Sequence, residues 1–437
     1  MDSITQVTEA LQVVLTTQAD EIARATGFVQ RASKLTGSKF VQTLVLTWLA
    51  DPAATYEQLA QSATALEVPI TAQGIEQRFT PQAAECLKQL LAAAMKQVIQ
   101  ATPVAVPVLG RFNGVYIQDG TTIALPPELA ELWPGCGNGT EVPSAALKVQ
   151  LQFNWSDGQC LHLDLQAGRA SDRAAPMQTA LLPAGALRLA DLGYYSLPTW
   201  EAYTQQGGFW LSRLPPQCGV YDEHGAVLDL PSLLPRVVGP TYDQAVRVSQ
   251  KEPLAARLVA VRVAPAVAAA RRRKVRADAK RKGHTPSVRL LALCEWVLLV
   301  TNIPAAQLSA HDALVLARVR WQIELVFKLW KSHGQVDESR SAKTYRMLCE
   351  VYAKLLGLLI QHWILIVTGW AYANRSWFKA AKTIRQHVTT LLLALADAER
   401  MRQVLETIGA CLAKGARLNT RKATPTTVQL LLACTDE

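Results

Sequence analysis

Ala317-Arg318-Val319-Arg320-Trp321-Gln322-Ile323-Glu324-Leu325-Val326-Phe327-Lys328-Leu329-Trp330-Lys331 is the stretch on which the reading of this chain turns. At about 100° per residue, a helix through it brings Arg320, Glu324 and Lys331 within about 40° of one another and sets Val319, Ile323, Val326 and Trp330 on a separate apolar stripe. One face is built for a core and the other carries charge. A plain surface ladder of such charges is worth only about 0.3 kcal/mol per pair. The charged face gains meaning if other acids meet it.

Two aspartates are placed to do so. Asp119 closes the apolar run Gly114-Val115-Tyr116-Ile117-Gln118 and precedes Gly120-Thr121-Thr122, and Asp191 closes Leu187 to Ala190 and precedes Leu192-Gly193-Tyr194-Tyr195-Ser196. Each carboxylate is expected where strand becomes loop, which is where sites in α/β sheets collect. Taken singly, either aspartate is as readily a turn former. Together with Glu324 they offer hard oxygen donors suited to Mg²⁺ or Mn²⁺, and two such ions about 3.5 to 4 Å apart serve phosphoryl transfer.

Outward from these residues the texture changes several times. Residues 1–104 read as helices, with Thr55 starting one and Thr71 capping another over Ala72 to Phe79. That pair has the length of a helix-turn-helix whose second helix presents Gln73, Gln77 and Arg78, although helix pairs are also common in ordinary bundles. Strands are expected at Gly114 to Asp119, Leu147 to Asn154, Cys160 to Leu165, Leu187 to Asp191, Phe209 to Arg213 and Trp296 to Val300, with a helix after Ser171. This order fits an α/β core better than an all-β sandwich. From Pro215 to about Leu293 the strands look short and irregular, and Pro265 and Gly283 bracket a helix. Ser309 caps a long helix expected to reach His333, and helices fill the remainder.

Charge points to a partner. The chain carries 45 basic and 35 acidic residues, a net +10. Between Arg271 and Arg289 lie nine Lys or Arg, among them Arg271, Arg272, Arg273 and Lys274, against the single acid Asp278, so this segment holds +8 and the rest is nearly neutral. A localised basic block is the footprint of a polyanion, nucleic acid first, with a solvated charge run as the plainer alternative. Eight scattered cysteines with no Cys-x-x-Cys pair argue against a disulfide framework or a zinc site and fit a reducing cytoplasm. The amino terminus lacks the features of an export signal. Gln361 and His362 interrupt the apolar stretch Leu355 to Trp370, which argues against a membrane span.

Taken in order, the Gln-Asp-Gly-Thr-Thr motif at Asp119, the Ala-Asp-Leu-Gly-Tyr-Tyr-Ser motif at Asp191, Leu298-Leu299-Val300-Thr301-Asn302-Ile303-Pro304, and Arg320-x3-Glu324-x6-Lys331 resemble bacterial insertion-sequence transposases of the Asp-Asp-Glu class, in the branch marked by Tyr-x2-Arg-x3-Glu-x6-Lys. The resemblance covers nearly the whole chain. It departs at the tyrosine, whose position is Ala317; in the family that tyrosine lies against the DNA backbone, so the resemblance implies that this chain lacks that contact.

The resemblance implies a ribonuclease-H-like catalytic core in which Asp119, Asp191 and Glu324 are catalytic and hold two Mg²⁺ ions, with Mn²⁺ able to substitute. Arg320 and Lys331 would neutralise phosphate charge. Trp296, 28 positions before Glu324, stands where related hairpin-forming transposases receive a flipped base, although a tryptophan on a strand is more often simply core. The implied domains are a helical DNA-end-binding region (1–104), a first core part (105–214), a β-rich insertion with the basic helix (215–293), a second core part (294–345) and a helical carboxy-terminal region for dimerisation (346–437). The implied activity is cutting at element ends and joining of the 3′ ends to target DNA. The implied partners are double-stranded DNA, as terminal inverted repeats and target, and a second copy in the DNA complex, with no membrane and a cytoplasmic, nucleoid-associated location. A transposase-derived DNA-binding protein that no longer cuts is the alternative. Another metal-dependent nuclease is a third, against which the flanking helical regions speak.

Overall fold

The computed structural model describes residues 3–137, 143–419 and 425–434. Among the described residues nine strands form a mixed sheet: β1 (Val115–Leu125), β2 (Ala145–Asn154), β3 (Cys160–Ala167), β4 (Leu187–Ala190), β5 (Phe209–Arg213), β6 (Val220–Tyr221), β7 (Thr241–Val248), β8 (Leu254–Arg262) and β9 (Trp296–Thr301). Their order is β3-β2-β1-β4-β5-β9-β8-β7-β6. β4 runs parallel to β1 and to β5, and β9 returns antiparallel to β5. With helices before and after the sheet, this is the mixed α/β class with a β insertion that the sequence indicates.

The chain divides into two compact units, each assembled from three segments. One comprises Met1–Ala105, Gly120–Ala170 and Ile323–Ala423. Its centre is the helix Thr344–Gly369, packed against Gly37–Ala50 and Pro81–Ala94. Gly357 permits that packing, because a Cβ there would stand 3.3 Å from both the Leu49 Cβ and the Val45 carbonyl. Among the described residues this is the one helix long and apolar enough to cross a membrane, yet 83% of its apolar window is buried inside the protein.

A row of charge also lies buried on this helix. Glu350 pairs with Arg346 at 2.5 Å and with Lys354 at 2.7 Å, and Lys354 Nζ donates to the carbonyls of Gln335 and Glu338, just beyond the glutamate helix. The Arg346 guanidinium stacks on Trp48, Tyr56 and Phe79 of the amino-terminal helices. Buried charges of this kind persist only when every one is paired. Farther along, His362 is enclosed and shares 2.6 Å with the Gly158 carbonyl.

The second unit comprises Val106–Asp119, Ser171–Gln322 and Thr424–Glu437. It holds the first five residues of β1, strands β4 to β9, and the basic helix Pro265–Arg281, whose bounds agree with the Pro265 and Gly283 signals.

Several local expectations need correction. β1 does not end at Asp119: Thr121, Thr122 and Ile123 favour extended backbone and carry the strand to Leu125. The segment after Ser171 forms two three-residue 3₁₀ turns, Asp172–Ala174 and Pro176–Gln178, where Pro176 forbids a continuous helix. In the insertion, β7 and β8 form a regular eight-pair antiparallel hairpin rather than irregular strands, turned through Ser249 at φ +73°. The helix capped by Thr71 stops at Glu76, because Phe79 turns into an aromatic cluster with Phe40, Trp48 and Tyr56.

The long helix from Ser309 is in fact two, Ala310–Val319 and Gln322–Ser332. At the break the Trp321 N–H donates to the Arg318 carbonyl, three residues back rather than four, so one helical period does not run from Arg320 to Lys331. The apolar stripe survives the break, with Val319, Ile323, Val326 and Trp330 all buried.

Candidate active site

The register of β1 against β4 builds the site. Val115 lies opposite Leu187 and Gln118 opposite Ala190, so Asp119 and Asp191 are the next residues on two adjacent parallel strands. Side chains alternate along a strand, which gives Ile117, Asp119, Leu189 and Asp191 one face and Tyr116, Gln118, Arg188 and Ala190 the other. Asp191 also begins the 3₁₀ turn Leu192–Tyr194, whose Tyr194 N–H donates to the Asp191 carbonyl at 3.0 Å.

Arg320, at the end of the helix Ala310–Val319, donates from Nη1 to Asp119 Oδ2 at 3.1 Å. Both side chains are about one-fifth exposed, 18% for the arginine and 21% for the aspartate. The guanidinium therefore acts here as counter-charge to a carboxylate.

Asp172 is a third acid of the same unit that the sequence reading missed. Its turn packs on the turn after Asp191, and a Cβ at Gly193 would stand 3.0 Å from Asp172 Oδ2. Burial holds the Tyr194 phenol well above its ordinary range, and the carboxylates of Asp172, Asp119 and Asp191 add to the shift in that order. Asp172 lies in a segment that reads as helix, and only the brevity of Ser171-Asp172-Arg173 before Pro176 could have pointed to a turn.

In the other unit, Glu324 occupies the first turn of the helix Gln322–Ser332, where the helix dipole favours an acid. Lys331, in its last turn, donates to the Thr122 carbonyl of β1 at 2.9 Å and stands 4.0 Å from Asp337.

The expected DNA contacts fall into two sorts. Gln73, Gln77, Arg78, Arg273 and Lys274 are exposed. Arg271 and Arg272 are instead tied into the protein: Arg271 donates to the Trp296 carbonyl at 3.0 Å, and Arg272 bonds Glu295 and the Leu291 carbonyl. Trp296 is 4% exposed and carries the Arg262 guanidinium over its ring at 4.7 Å. It forms part of the wall of a cavity of about 420 Å³ shared with Leu192, Arg213, Arg271 and Lys274. A second cavity, about 580 Å³, is walled by Arg213, Arg271, Ala317, Arg318, Arg320 and Trp321. The methyl group of Ala317 leaves open space where a phenol would project.

An aspartate within β1 and another just past the end of the adjacent parallel β4, in a mixed sheet flanked by helices, define a class. The profile of the family described as the transposase DDE domain matches residues 110–360, more than half of the chain, and the chain belongs to that family. It is similar to the transposase for insertion sequence element IS231B of Bacillus thuringiensis subsp. berliner, with 26% identity over 78% of this chain and 75% of that one. It is also similar to the IS231F transposase of Bacillus thuringiensis subsp. israelensis (27%, covering 80% and 78%) and the IS1151 transposase of Clostridium perfringens (24%, covering 80% and 78%). Among solved structures, the piggyBac transposase synaptic complex with hairpin DNA aligns with a TM-score of 0.49 at 8% identity, over 97% of this chain and 87% of that one.

Proposed function

We propose that this chain is an insertion-sequence DNA transposase that cuts at the ends of its element and joins the freed 3′ ends to target DNA. The observation that carries the reading is the β1–β4 register, which sets Asp119 beside Asp191 in a chain of the DDE family. Glu324 is proposed as the third acid on the strength of its spacing from Arg320 and Lys331. Arg320 and Lys331 are proposed as the phosphate-binding cations.

The donor set fits a hard divalent cation: one carboxylate within β1, at Asp119, and one just past the end of the adjacent β4, at Asp191, with the Arg320 guanidinium on Asp119. Asp119, Asp191 and Glu324 would hold two Mg²⁺ ions, and Mn²⁺ could replace them. Bound there, the ions would supply activation of the attacking oxygen and neutralisation at the leaving one. The chain's own groups do the rest. Arg320, with five donors in a fixed fork, can exchange the Asp119 carboxylate for the non-bridging oxygens of the scissile phosphate. A water and then the new 3′-hydroxyl attack in line, so each displacement breaks one P–O bond as another forms.

Exposed Arg273 and Lys274 of the basic helix and Gln73, Gln77 and Arg78 near the amino terminus are proposed to hold the duplex, with action as a homodimer at the nucleoid. The five-part division at residues 104, 214, 293 and 345 is proposed as the functional one. The test is strand cleavage of a labelled element end by Asp119→Ala, Asp191→Ala and Glu324→Ala. All three should lose Mg²⁺-dependent cutting and retain end binding. A mutant that cuts at the wild-type rate removes its residue from the site. Ala317 favours one second reading, a descendant that binds ends without cutting; wild-type protein that binds ends yet never nicks them would establish it.

A further inference from the structure

On the opposite face of β1 and β4 from the two aspartates lies a charge that phosphoryl transfer does not itself employ. Arg188 is 3% exposed. Its Nε donates to Gln118 Oε1 at 2.9 Å, Nη1 to the Gln178 carbonyl at 2.7 Å, and Nη2 to Gln178 Oε1 at 2.7 Å and the Met177 carbonyl at 3.4 Å. Gln118 Nε2 donates to the same Gln178 Oε1 at 3.2 Å. Gln178 Nε2 in turn donates to the Tyr194 carbonyl at 2.9 Å and Thr199 Oγ1 at 3.4 Å. The guanidinium also stacks on the Tyr203 ring.

Among the described residues, every acceptor of Arg188 is a neutral oxygen. Burying a cation without a counter-ion is costly, and an apolar residue of similar volume would ordinarily pack there at less expense. The bonds themselves suggest what the cost secures. Gln118 immediately precedes Asp119, and Tyr194 ends the turn that Asp191 begins. Gln178, the last residue of its own 3₁₀ turn, joins the two through Arg188.

We propose that Arg188 is the positioning residue of the acid pair, locking Asp119 and the Asp191 turn at the separation a divalent cation requires through Gln118 and Gln178. The proposal rests on the reading of the two aspartates as metal ligands. Mg²⁺ tolerates little departure from octahedral coordination, and partners outside the ligand shell typically govern metal affinity about 10- to 100-fold. A lysine at 188 keeps the charge and loses the planar fork, so it cannot serve Gln118 and both oxygens of Gln178 together.

The experiment titrates Mn²⁺ alone into the full-length wild type, Arg188→Lys and Gln178→Leu, reading bound ion by electron paramagnetic resonance after a thermal melt shows cooperative unfolding. Folded variants should bind Mn²⁺ about 10- to 100-fold more weakly, and on end DNA their kcat should fall while KM stays near wild type. Wild-type Mn²⁺ affinity in the folded variants would reduce Arg188 to a fold-stabilising residue. Should Arg188→Lys fail to fold, Gln178→Leu and Gln118→Met decide by the same titration. If the wild type binds no Mn²⁺, or Asp119→Asn leaves binding unchanged, the metal-site reading fails first and takes this proposal with it; loss in Asp119→Asn with no loss in the Arg188 and Gln178 variants overturns this proposal alone.

Discussion

Arg320 should restrain metal binding while assisting the chemistry, and Arg320→Met separates the two effects. In the structure its guanidinium sits on Asp119 Oδ2 at 3.1 Å, with both side chains about four-fifths buried. Exposed pairs contribute about 0 to 1 kcal/mol, and removing one partner of a fully buried pair costs about 3 to 5 kcal/mol. At this intermediate exposure, about 1 to 2 kcal/mol is a reasonable magnitude for the pair. An ion that takes Asp119 as ligand must displace that contact. Arg320→Met removes the competitor, so Mn²⁺ should bind about 5- to 30-fold more tightly. The same variant should cut element ends more slowly, having lost its phosphate fork. Without metal it should melt at a lower temperature, since Asp119 loses the Arg320 guanidinium, and saturating Mn²⁺ should raise its melting temperature more than that of the wild type. Isothermal titration and thermal melts with and without Mn²⁺ measure both quantities. Weaker Mn²⁺ binding by a folded Arg320→Met protein would refute the reasoning, because it would make Arg320 a support of the ligand geometry rather than a rival to the ion.

Replacing exposed Arg273, Lys274 and Arg276 with alanine should flatten the dependence of log affinity on log salt by about 0.9 per lost phosphate contact; an unchanged slope would assign the helix to solvent. Arg271→Ala, by contrast, should lower stability through the freed Trp296 carbonyl before it alters the salt slope, as comparison of melts and salt titrations will tell. Trp296→Ala should permit nicking but reduce hairpin ends on a denaturing gel, and Ala317→Tyr, filling the second cavity with a phenol, should maintain or raise them; equal loss of nicks and hairpins in Trp296→Ala would make that ring a packing residue. His362 offers a pH test. Burial, aided by the nearby Arg375 cation, lowers its pKa from 6.5 to about 4 despite the Gly158 bond. The unfolded chain therefore binds the proton first, so this stability is complete above about pH 6.5 and is lost as pH falls toward 4, at most about 3 kcal/mol. His362→Gln should show a shallower acid decline in denaturant melts, and an identical profile would place the titration elsewhere.

The legible parts of this fold were those with local causes. Thr55 and Gln58 form a reciprocal capping box because the side chains reach only across one turn, and β2 and β3 follow from alternation around the Ser156-Asp157-Gly158 turn. The two aspartates stood out because each closes an apolar run. What escaped depends on partners distant in sequence. The break at Arg320-Trp321 interrupts a segment whose apolar period is unbroken, so no pattern of side chains announces it. Arg188, inside the run Leu187 to Ala190, reads as a polar interruption of a strand until Gln118, 70 residues earlier, is seen bonded to it. Asp172 joins the neighbourhood of Asp191 only when its turn comes against Gly193.

The helix Thr344–Gly369 and its charged row have a further consequence for how the protein is made. Pro81–Ala94 and Gly37–Ala50 leave the ribosome long before the helix that covers them, since Thr344 follows Ala94 by 250 residues. At about 5 to 20 residues per second, the amino-terminal helices wait about 12 to 50 s with Leu44, Val45, Leu87 and Leu90 uncovered. Trp48, Tyr56 and Phe79 wait equally long for the Arg346 guanidinium. A message broken or terminated before codon 344 would thus yield a fragment in which the first hundred residues lack their central support. Such a fragment exposes the apolar surface that chaperones and proteases engage.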